Sequence, residues 1–275
     1  MNQYTYPAFS ALLMLLSYLT ANAQKLPSVQ QASLRAPAII KIDGNSTEWP
    51  KPLQAYNNST NLFYTMANDD ENLYLVIQVT EGVNISKIIS AGITLIINKQ
   101  ESNGDKNAFS LTYPIFDVKD RPNINVKDKI KIVPGSTASL RKADSVMQVN
   151  NKRLSSKSKF IRVTGFKGMD SLISVYNQDG IKAAELLDNK VVYTYELSIA
   201  LKQLGLSVDD AAKFAYTIKS NGTKMAAMNG YVITKTEGRV SQMMDILPGA
   251  YTRMPDLQIL ISTTDFSGEY TLVKK

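Results

Sequence analysis

The chain of 275 residues contains neither cysteine nor histidine and carries a formal net charge of +7. Without those side chains it cannot form disulfides, imidazole or thiolate metal sites, His-ligated haem or Ser-His and Cys-His catalytic pairs. Any general acid or base must therefore be a carboxylate, a lysine or a tyrosine.

The first 23 residues predict a secretory signal peptide. They carry no charged side chain and hold a short apolar run, Phe9–Leu19, before the small-x-small cleavage pattern Ala21-Asn22-Ala23. The run is shorter than the ~20 apolar residues of a membrane span. We therefore expect a secreted or periplasmic protein, cleaved after Ala23 and lacking a cysteine for a lipoprotein anchor. A buried terminal helix is the alternative interpretation.

The rest of the chain predicts one domain. Residues 24–36 are polar and suggest a flexible leader, residues 37–265 a β-sandwich, and residues 266–275 a C-terminal tail. An elaborated basic insertion is expected within the domain, at about residues 117–168, where apolar periodicity is too sparse for a second core.

The clearest local signal is a hairpin around the polar turn Asn68–Asn72. Apolar and aromatic residues at Leu62–Met66 precede the turn, and Leu73–Thr80 alternates after it. One face of the second strand is purely aliphatic and should lie in a core: Leu73, Leu75, Ile77 and Val79. Its other face is mixed, so we expect it to be partly solvated or covered by a loop.

Further strands follow from alternation and turn residues, and Asp179-Gly180 favours a hairpin between the two strands that flank it. A short helix is predicted at Ile199–Leu204, ended by Gly205. The predicted strands are Ile39–Ile42, Ile93–Asn98, Ala108–Tyr113, Lys129–Val133, Met147–Val149, Phe160–Thr164, Leu172–Tyr176, Ile181–Leu187, Val191–Ser198, Phe214–Ser220 and Leu257–Ile261. Short antiparallel hairpins with little helix indicate an all-β antiparallel sandwich.

Several segments also share an order and spacing with a known family. They are Ile42-Asp43-Gly44 with Trp49 soon after, Ala67–Leu75, Gly92–Asn98, and Tyr193–Leu206 with Ala200 where proline is usual. Together they resemble the family 9 carbohydrate-binding modules and their DOMON-like relatives, over roughly residues 39–261. The resemblance implies a non-catalytic β-sandwich whose partner is a sugar or glycan.

The resemblance also limits how a sugar can be held. The sugar-binding members of the family that this chain resembles hold the sugar ring between two tryptophans, whereas this chain has only Trp49. The position of Trp49 after the first predicted strand favours core packing over ligand stacking. Tyrosine, of which there are 14, would have to supply the stacking surface.

The best predicted ligand-binding platform is Met225–Met254, a segment of low periodicity. Tyr251 lies between Pro248-Gly249 and Pro255 and should be exposed, whereas Tyr231 is explained equally well by packing in a strand. The predicted binding residues are Tyr251, Arg253, Asn229, Tyr231 and Gln242. Tyr113 and Phe116, on either side of Pro114, form a second-choice platform.

The acidic residues do not assemble a recognisable site. Asp69, Asp70 and Glu71 raise the question of calcium, but the turn chemistry of Asn68–Asn72 explains them as well. Nothing in the spacing of the carboxylates, including Glu48, Glu196 and Glu237, selects a hydrolytic pair, so no catalytic residue is assigned. We expect no cofactor, and a calcium ion at this turn is the alternative.

Basic residues concentrate in one segment. Lys119–Lys167 contains 13 Lys and Arg against three Asp. The segment is either a solvated loop region or a contact for an anionic partner. The charges do not cluster into a run of five or six, which favours the solvated loop, and no nucleic-acid partner is expected. Two alternatives to sugar binding stay open: a polysaccharide-active hydrolase, and a structural or adhesive surface protein that binds another protein through this basic segment.

The signal peptide can be tested directly. Mass spectrometry of the protein from its native compartment should find a chain that begins at Gln24, because signal peptidase cuts after the small-x-small pattern. An intact Met1 terminus in the cytoplasm would remove the secreted interpretation.

Overall fold

A computed structural model describes residues 25–98, 108–117, 120–124, 126, 132–223, 231–236, 239–245 and 254–275, with the backbone alone given for 231–236, 239–245 and 254–255. The predicted signal peptide lies outside the described residues. Within the described ranges, no helix combines the length and apolar character that crossing a membrane requires.

The described chain consists mainly of short strands with four α-helices. The strands are β1 (Ala55–Asn57), β2 (Leu62–Asn68), β3 (Asn72–Val79), β4 (Ile93–Asn98), β5 (Phe109–Tyr113), β6 (Phe160–Thr164), β7 (Leu172–Ser174), β8 (Ile181–Leu187), β9 (Tyr193–Ala200), β10 (Lys213–Ser220), β11 (Tyr231–Thr236), β12 (Arg239–Asp245) and β13 (Thr264–Thr271). The helices are α1 (Gly82–Ala91), α2 (Thr137–Lys157), α3 (Leu201–Leu204) and α4 (Met254–Ile261).

Two antiparallel sheets pack face to face, which confirms the predicted sandwich. Their strand orders are β1-β2-β3-β9-β8 and β13-β10-β4-β5-β6-β7, and β11 and β12 pair separately as a hairpin. Tyr64 of the first sheet meets Tyr216 of the second through their hydroxyls at 3.0 Å, and the ring of Tyr195 lies 5.8 Å from that of Tyr113.

The predicted core face of β3 is confirmed. Its aliphatic side chains at 73, 75, 77 and 79 are each 1% exposed or less, and they share one cluster with the buried Ile93, Leu95 and Ile97 of β4. On the opposite face Tyr74 and Val76 are buried under Trp49 and Leu53, so that face is the loop-covered one. Core packing of Trp49 is thereby confirmed.

The predicted hairpins β2–β3, β4–β5 and β8–β9 are confirmed, and so is the end of α3 at a left-handed Gly205. The predicted hairpin of Leu172–Tyr176 with Ile181–Leu187 is wrong. β7 pairs with β6 in one sheet, whereas β8 pairs with β9 in the other. The intervening segment crosses between sheets, a choice that alternation within each strand does not encode.

Two predicted strands near the ends of the domain are also wrong. Ile39–Ile42 is irregular: Ile39 is 73% exposed, while Ile40 and Ile42 pack beside Trp49. Leu257–Ile261 belongs to α4, in which Leu257 and Leu260 are buried at helical spacing. The closing strand is instead β13, so most of the predicted C-terminal tail is an edge strand.

The basic insertion contains a long helix that the sequence analysis missed. Predicted strand Met147–Val149 lies inside α2, and Ile132 and Val133 are not in a strand, although Phe160–Thr164 is confirmed as β6. The buried side chains of α2 are Ala143, Met147, Asn150 and Leu154, spaced by four, three and four residues. That is the period of an amphipathic helix packed on a sheet edge, here β8.

The described part of the predicted flexible leader is docked rather than loose. Gln30 is 7% exposed, and its side-chain amide accepts a bond from the N–H of Met66 and donates one to the Met66 carbonyl, each at 2.8 Å. Further along, the backbone N–H of Ala36 donates to the Asn68 carbonyl, and the Leu34 carbonyl accepts from the Asn68 N–H. The segment thus satisfies backbone groups of β2 where the short β1 has ended.

Burial of β3 predicts a large loss of stability on truncation. Ile77→Ala should lower the free energy of unfolding by about 2–5 kcal/mol, because the removed atoms leave a cavity. The matched change at an exposed site, Ile39→Ala, should alter it by less than about 0.5 kcal/mol. Chemical denaturation measures both, and equal losses would show that β3 does not face the core.

Candidate functional site

The predicted ligand platform lies mostly outside the described residues. Asn229, Tyr251 and Arg253 are not described, and only the backbone is described for Tyr231 and Gln242. Tyr231 pairs with Asp245, and Gln242 with Thr234, in the β11–β12 hairpin. A sugar platform there stays a prediction.

The prediction that Tyr113 and Phe116 form a second-choice ligand platform is wrong, because neither side chain is exposed. Tyr113 is 3% exposed, with its ring against Tyr195 between the two sheets. Phe116 is partly buried and packs against the main core. These side chains build the interior and do not face a ligand.

A buried carboxylate organises the outer face of the five-stranded sheet. Glu196 is fully buried and accepts three bonds: from Trp49 Nε1 at 2.8 Å, from the Gly44 N–H at 2.8 Å and from the Asp43 N–H at 3.1 Å. Burial raises the pKa of Glu196, and the three donors act in the opposite direction. The carboxylate oxygens are therefore occupied in holding the Asp43–Trp49 segment, which gives Glu196 a structural role.

The backbone of the same segment requires a glycine at position 44. Its φ is +85°, and a Cβ atom would lie 2.6 Å from the backbone carbon of Glu185 in β8. Only glycine adopts this conformation without strain at so close an approach. The segment is thus held against the sheet at two points, Glu196 and the backbone of β8.

A groove of about 500 Å³ lies beside this segment. Its floor is one cross-strand row of side chains, Phe63, Gln78, Thr194 and Leu186, on four adjacent strands. Residues 44–53 provide one wall and the β8–β9 turn, with Asp188, Lys190 and Val192, provides the other.

Polar side chains in the groove are already ordered by one another. Lys51 Nζ donates to Ser46 Oγ at 2.9 Å and to Gln78 Oε1 at 3.0 Å. Gln78 Nε2 donates to Ser46 Oγ at 2.9 Å and to Thr194 Oγ1 at 3.2 Å. Burial lowers the pKa of Lys51, against the opposing fields of Glu196 and Asp188. Since an ammonium has three N–H groups, one more bond from Lys51 can go to a ligand.

An aromatic ring adjoins these polar groups. Phe63 is only partly buried, and its ring stacks on that of Tyr56 with centroids 4.3 Å apart and an interplanar angle of 32°. The support from Tyr56 fixes the orientation of Phe63 at the groove. The site therefore offers an apolar face and several hydrogen-bonding groups side by side.

The acidic turn after β2 is accounted for by its own bonds. Asp69 accepts from the N–H groups of Glu71 and Asn72 and from the Tyr74 hydroxyl, and Asp70 pairs with Arg35 at 2.6 Å. Across the described residues, no three acidic, cysteine or histidine side chains converge on a metal position.

A second carboxylate lies on the opposite, inner face of the first sheet. Glu185 accepts bonds from Ser158 Oγ, just after α2, and from the Tyr193 hydroxyl. Burial raises the pKa of Glu185 to about 7. It shares the inner face of β8 with Ile181, Ala183 and Leu187, so the sheet separates it from the groove.

The groove could not be predicted from the sequence, although one residue of the sequence is a signal of it. Gln78 interrupts the otherwise apolar run of β3, which is why the outer face of that strand is predicted to be mixed. Phe63 and Thr194 are 131 positions apart, so only the strand pairing brings them into one row.

No protein-family model and no curated protein matches this chain.

Glu185 predicts a pH dependence of stability. Because its pKa is raised in the folded state, the stabilisation it gives is complete below about pH 4.5 and is lost as pH rises through about 7. Between pH 5 and 8 the free energy of unfolding should fall by about 1–3 kcal/mol. Glu185→Gln should flatten this fall, whereas Glu81→Gln at an exposed site should not. An unchanged slope in Glu185→Gln would contradict the assignment.

Proposed function

We propose that this protein is a secreted or periplasmic, non-catalytic sugar-binding β-sandwich, and that the groove over Phe63, Gln78 and Thr194 is its binding site. The observation that carries the proposal is the partly exposed ring of Phe63 beside the bonded set of Lys51, Ser46, Gln78 and Thr194. A sugar ring has the matching surfaces, an apolar C–H face and an edge of hydroxyl groups.

The dimensions and order of the groove support the same conclusion. Its volume of about 500 Å³ falls within the ~300–1,000 Å³ typical of small-ligand pockets. The polar side chains are held by each other, so less conformational entropy is lost when a ligand binds. One or two sugar units would fill such a space.

The family resemblance supports a sugar ligand independently of the groove. The Asp43-Gly44 and Trp49 positions of that resemblance meet at Glu196, and their bonds hold the segment that forms one wall of the groove. A single aromatic floor residue, Phe63, would take the stacking role for which this chain has no second tryptophan.

The proposal predicts a specific effect of Phe63. On a glycan identified by array screening, Phe63→Ala should raise Kd by about tenfold to a hundredfold, the scale expected from losing the burial of one aromatic side chain. The matched control Phe160→Ala removes an exposed aromatic from the other sheet and should leave Kd unchanged. Isothermal titration calorimetry measures both.

One further variant and one activity screen separate the proposal from its rivals. If Tyr251→Ala abolishes binding and Phe63→Ala does not, the ligand is held by the Met225–Met254 segment instead of the groove. If no glycan binds and a hydrolysis screen on polysaccharides detects cleavage, the hydrolase alternative replaces the proposal.

A further inference from the structure

The groove carries an excess of positive charge. Lys51 and Lys190 line it against a single carboxylate, Asp188. Asp188 Oδ1 accepts the N–H groups of Lys190 and Val192, each at 2.8 Å, so it serves the turn of which it is a part. Neither lysine is in any ion pair of the described residues, and both side-chain partners of Lys51 are neutral oxygens.

The wall of the groove at the β8–β9 turn is joined to α2. Asn189 Nδ2 donates to Asp144 Oδ1 at 2.8 Å, and the Asn151 side chain exchanges two bonds of 2.8 Å with the backbone of Leu187. Asp144 and Asn151 are seven residues apart, two helical turns, so one flank of α2 follows the turn and the adjoining edge of β8.

Two exposed cations lie beside that flank. Arg141 precedes Asp144 by three residues, and Lys152 follows Asn151 by one. Arg141 and Lys152 are eleven residues apart, close to three full turns, and therefore form a line of about 16 Å along the helix. Of the other cations of α2, Lys157 pairs with Asp120, and Arg153 donates to the Asn123 carbonyl.

We propose that the ligand of the groove is an acidic polysaccharide, with one anionic sugar at Lys51 and Lys190 and the following sugars running over the β8–β9 turn to Arg141 and Lys152. This inference rests on the proposed function and adds the class of sugar and the path of the bound chain across the surface. The third N–H of Lys51 bonds a carboxylate or sulfate of the sugar beside the Phe63 ring. The α2 cations hold later anionic groups through weaker, solvent-exposed attraction.

The test compares short and long ligands by calorimetry. Galacturonate dimers and hexamers, neutral galactose oligomers of equal length and a sulfated galactan oligomer are titrated into the full mature chain at low and high salt. Lys51→Gln should raise Kd for every acidic oligomer by about tenfold or more, the scale of a lost charge-assisted hydrogen bond. The carboxylated and sulfated arms identify which anionic group is recognised.

The paired variant Arg141→Gln/Lys152→Gln should act only on long ligands. It should raise Kd for the hexamer by about twofold to fivefold, as exposed ion pairs do, and leave the dimer unchanged. Its control, Arg162→Gln/Lys219→Gln, removes the same charge from the other sheet and should have no comparable effect. Affinity for the hexamer should fall as salt rises.

The outcomes distinguish this inference from the proposed function. If neutral and acidic oligomers bind alike, and Phe63→Ala weakens binding while Lys51→Gln does not, the groove binds sugar but the acidic ligand is wrong. Equal losses in the two paired variants would show a general charge effect and overturn the path along α2. Absence of binding by every oligomer would overturn the acidic ligand, and the proposed function falls with it only if the glycan array also shows no binding.

Discussion

The carboxylate of Glu196 is the interaction on which the outer face of the five-stranded sheet depends. Burying an ionised carboxylate is costly unless donors replace its water, and here the Trp49 indole and two backbone N–H groups do so. By accepting these bonds, Glu196 fixes a segment without regular strand structure on top of a strand. Trp49 can then bury Tyr74 and Val76 and form a second, smaller core outside the sandwich.

Strand register divides that outer face into a covered row and an open row. Thr65, Val76, Glu196 and Ala184 pair across four strands, and the Asp43–Leu53 segment covers the sheet around them. The floor of the groove is the next row on the same face, which lies two residues away in each strand. The covered row holds the loop in place, and the loop supplies the polar wall that orders Gln78 and Lys51.

The edges of this sheet are closed by side chains that imitate a neighbouring strand. Gln30 bonds both backbone groups of Met66 on β2, and Asn151 does the same for Leu187 on β8. Pairing an edge in this way removes a site for aggregation. At β8 it has a second consequence, because the helix that carries Asn151 is thereby joined to the β8–β9 turn that forms one wall of the groove.

Features that depend on neighbouring residues could be predicted from the sequence. Alternation assigned Leu73 and Ile77 to the core, turn residues defined the hairpin around Asn68–Asn72, and the sandwich class followed. The period in α2 was also present in the sequence, at Ala143, Met147, Asn150 and Leu154, but the polar surroundings obscured it. These are local properties, since side-chain direction repeats with the backbone period.

The pairing of the strands, the open row of the sheet and the role of Glu196 depend instead on contacts between distant parts of the chain. β7 and β8 carry the same signals as a hairpin, yet β7 pairs with β6 in one sheet and β8 pairs with β9 in the other. Phe63 meets Gln78 and Thr194 through pairing over long sequence separations, which no local pattern specifies. Glu196 looked like any strand carboxylate, and its role exists only because packing brings Trp49 and Gly44 to its oxygens.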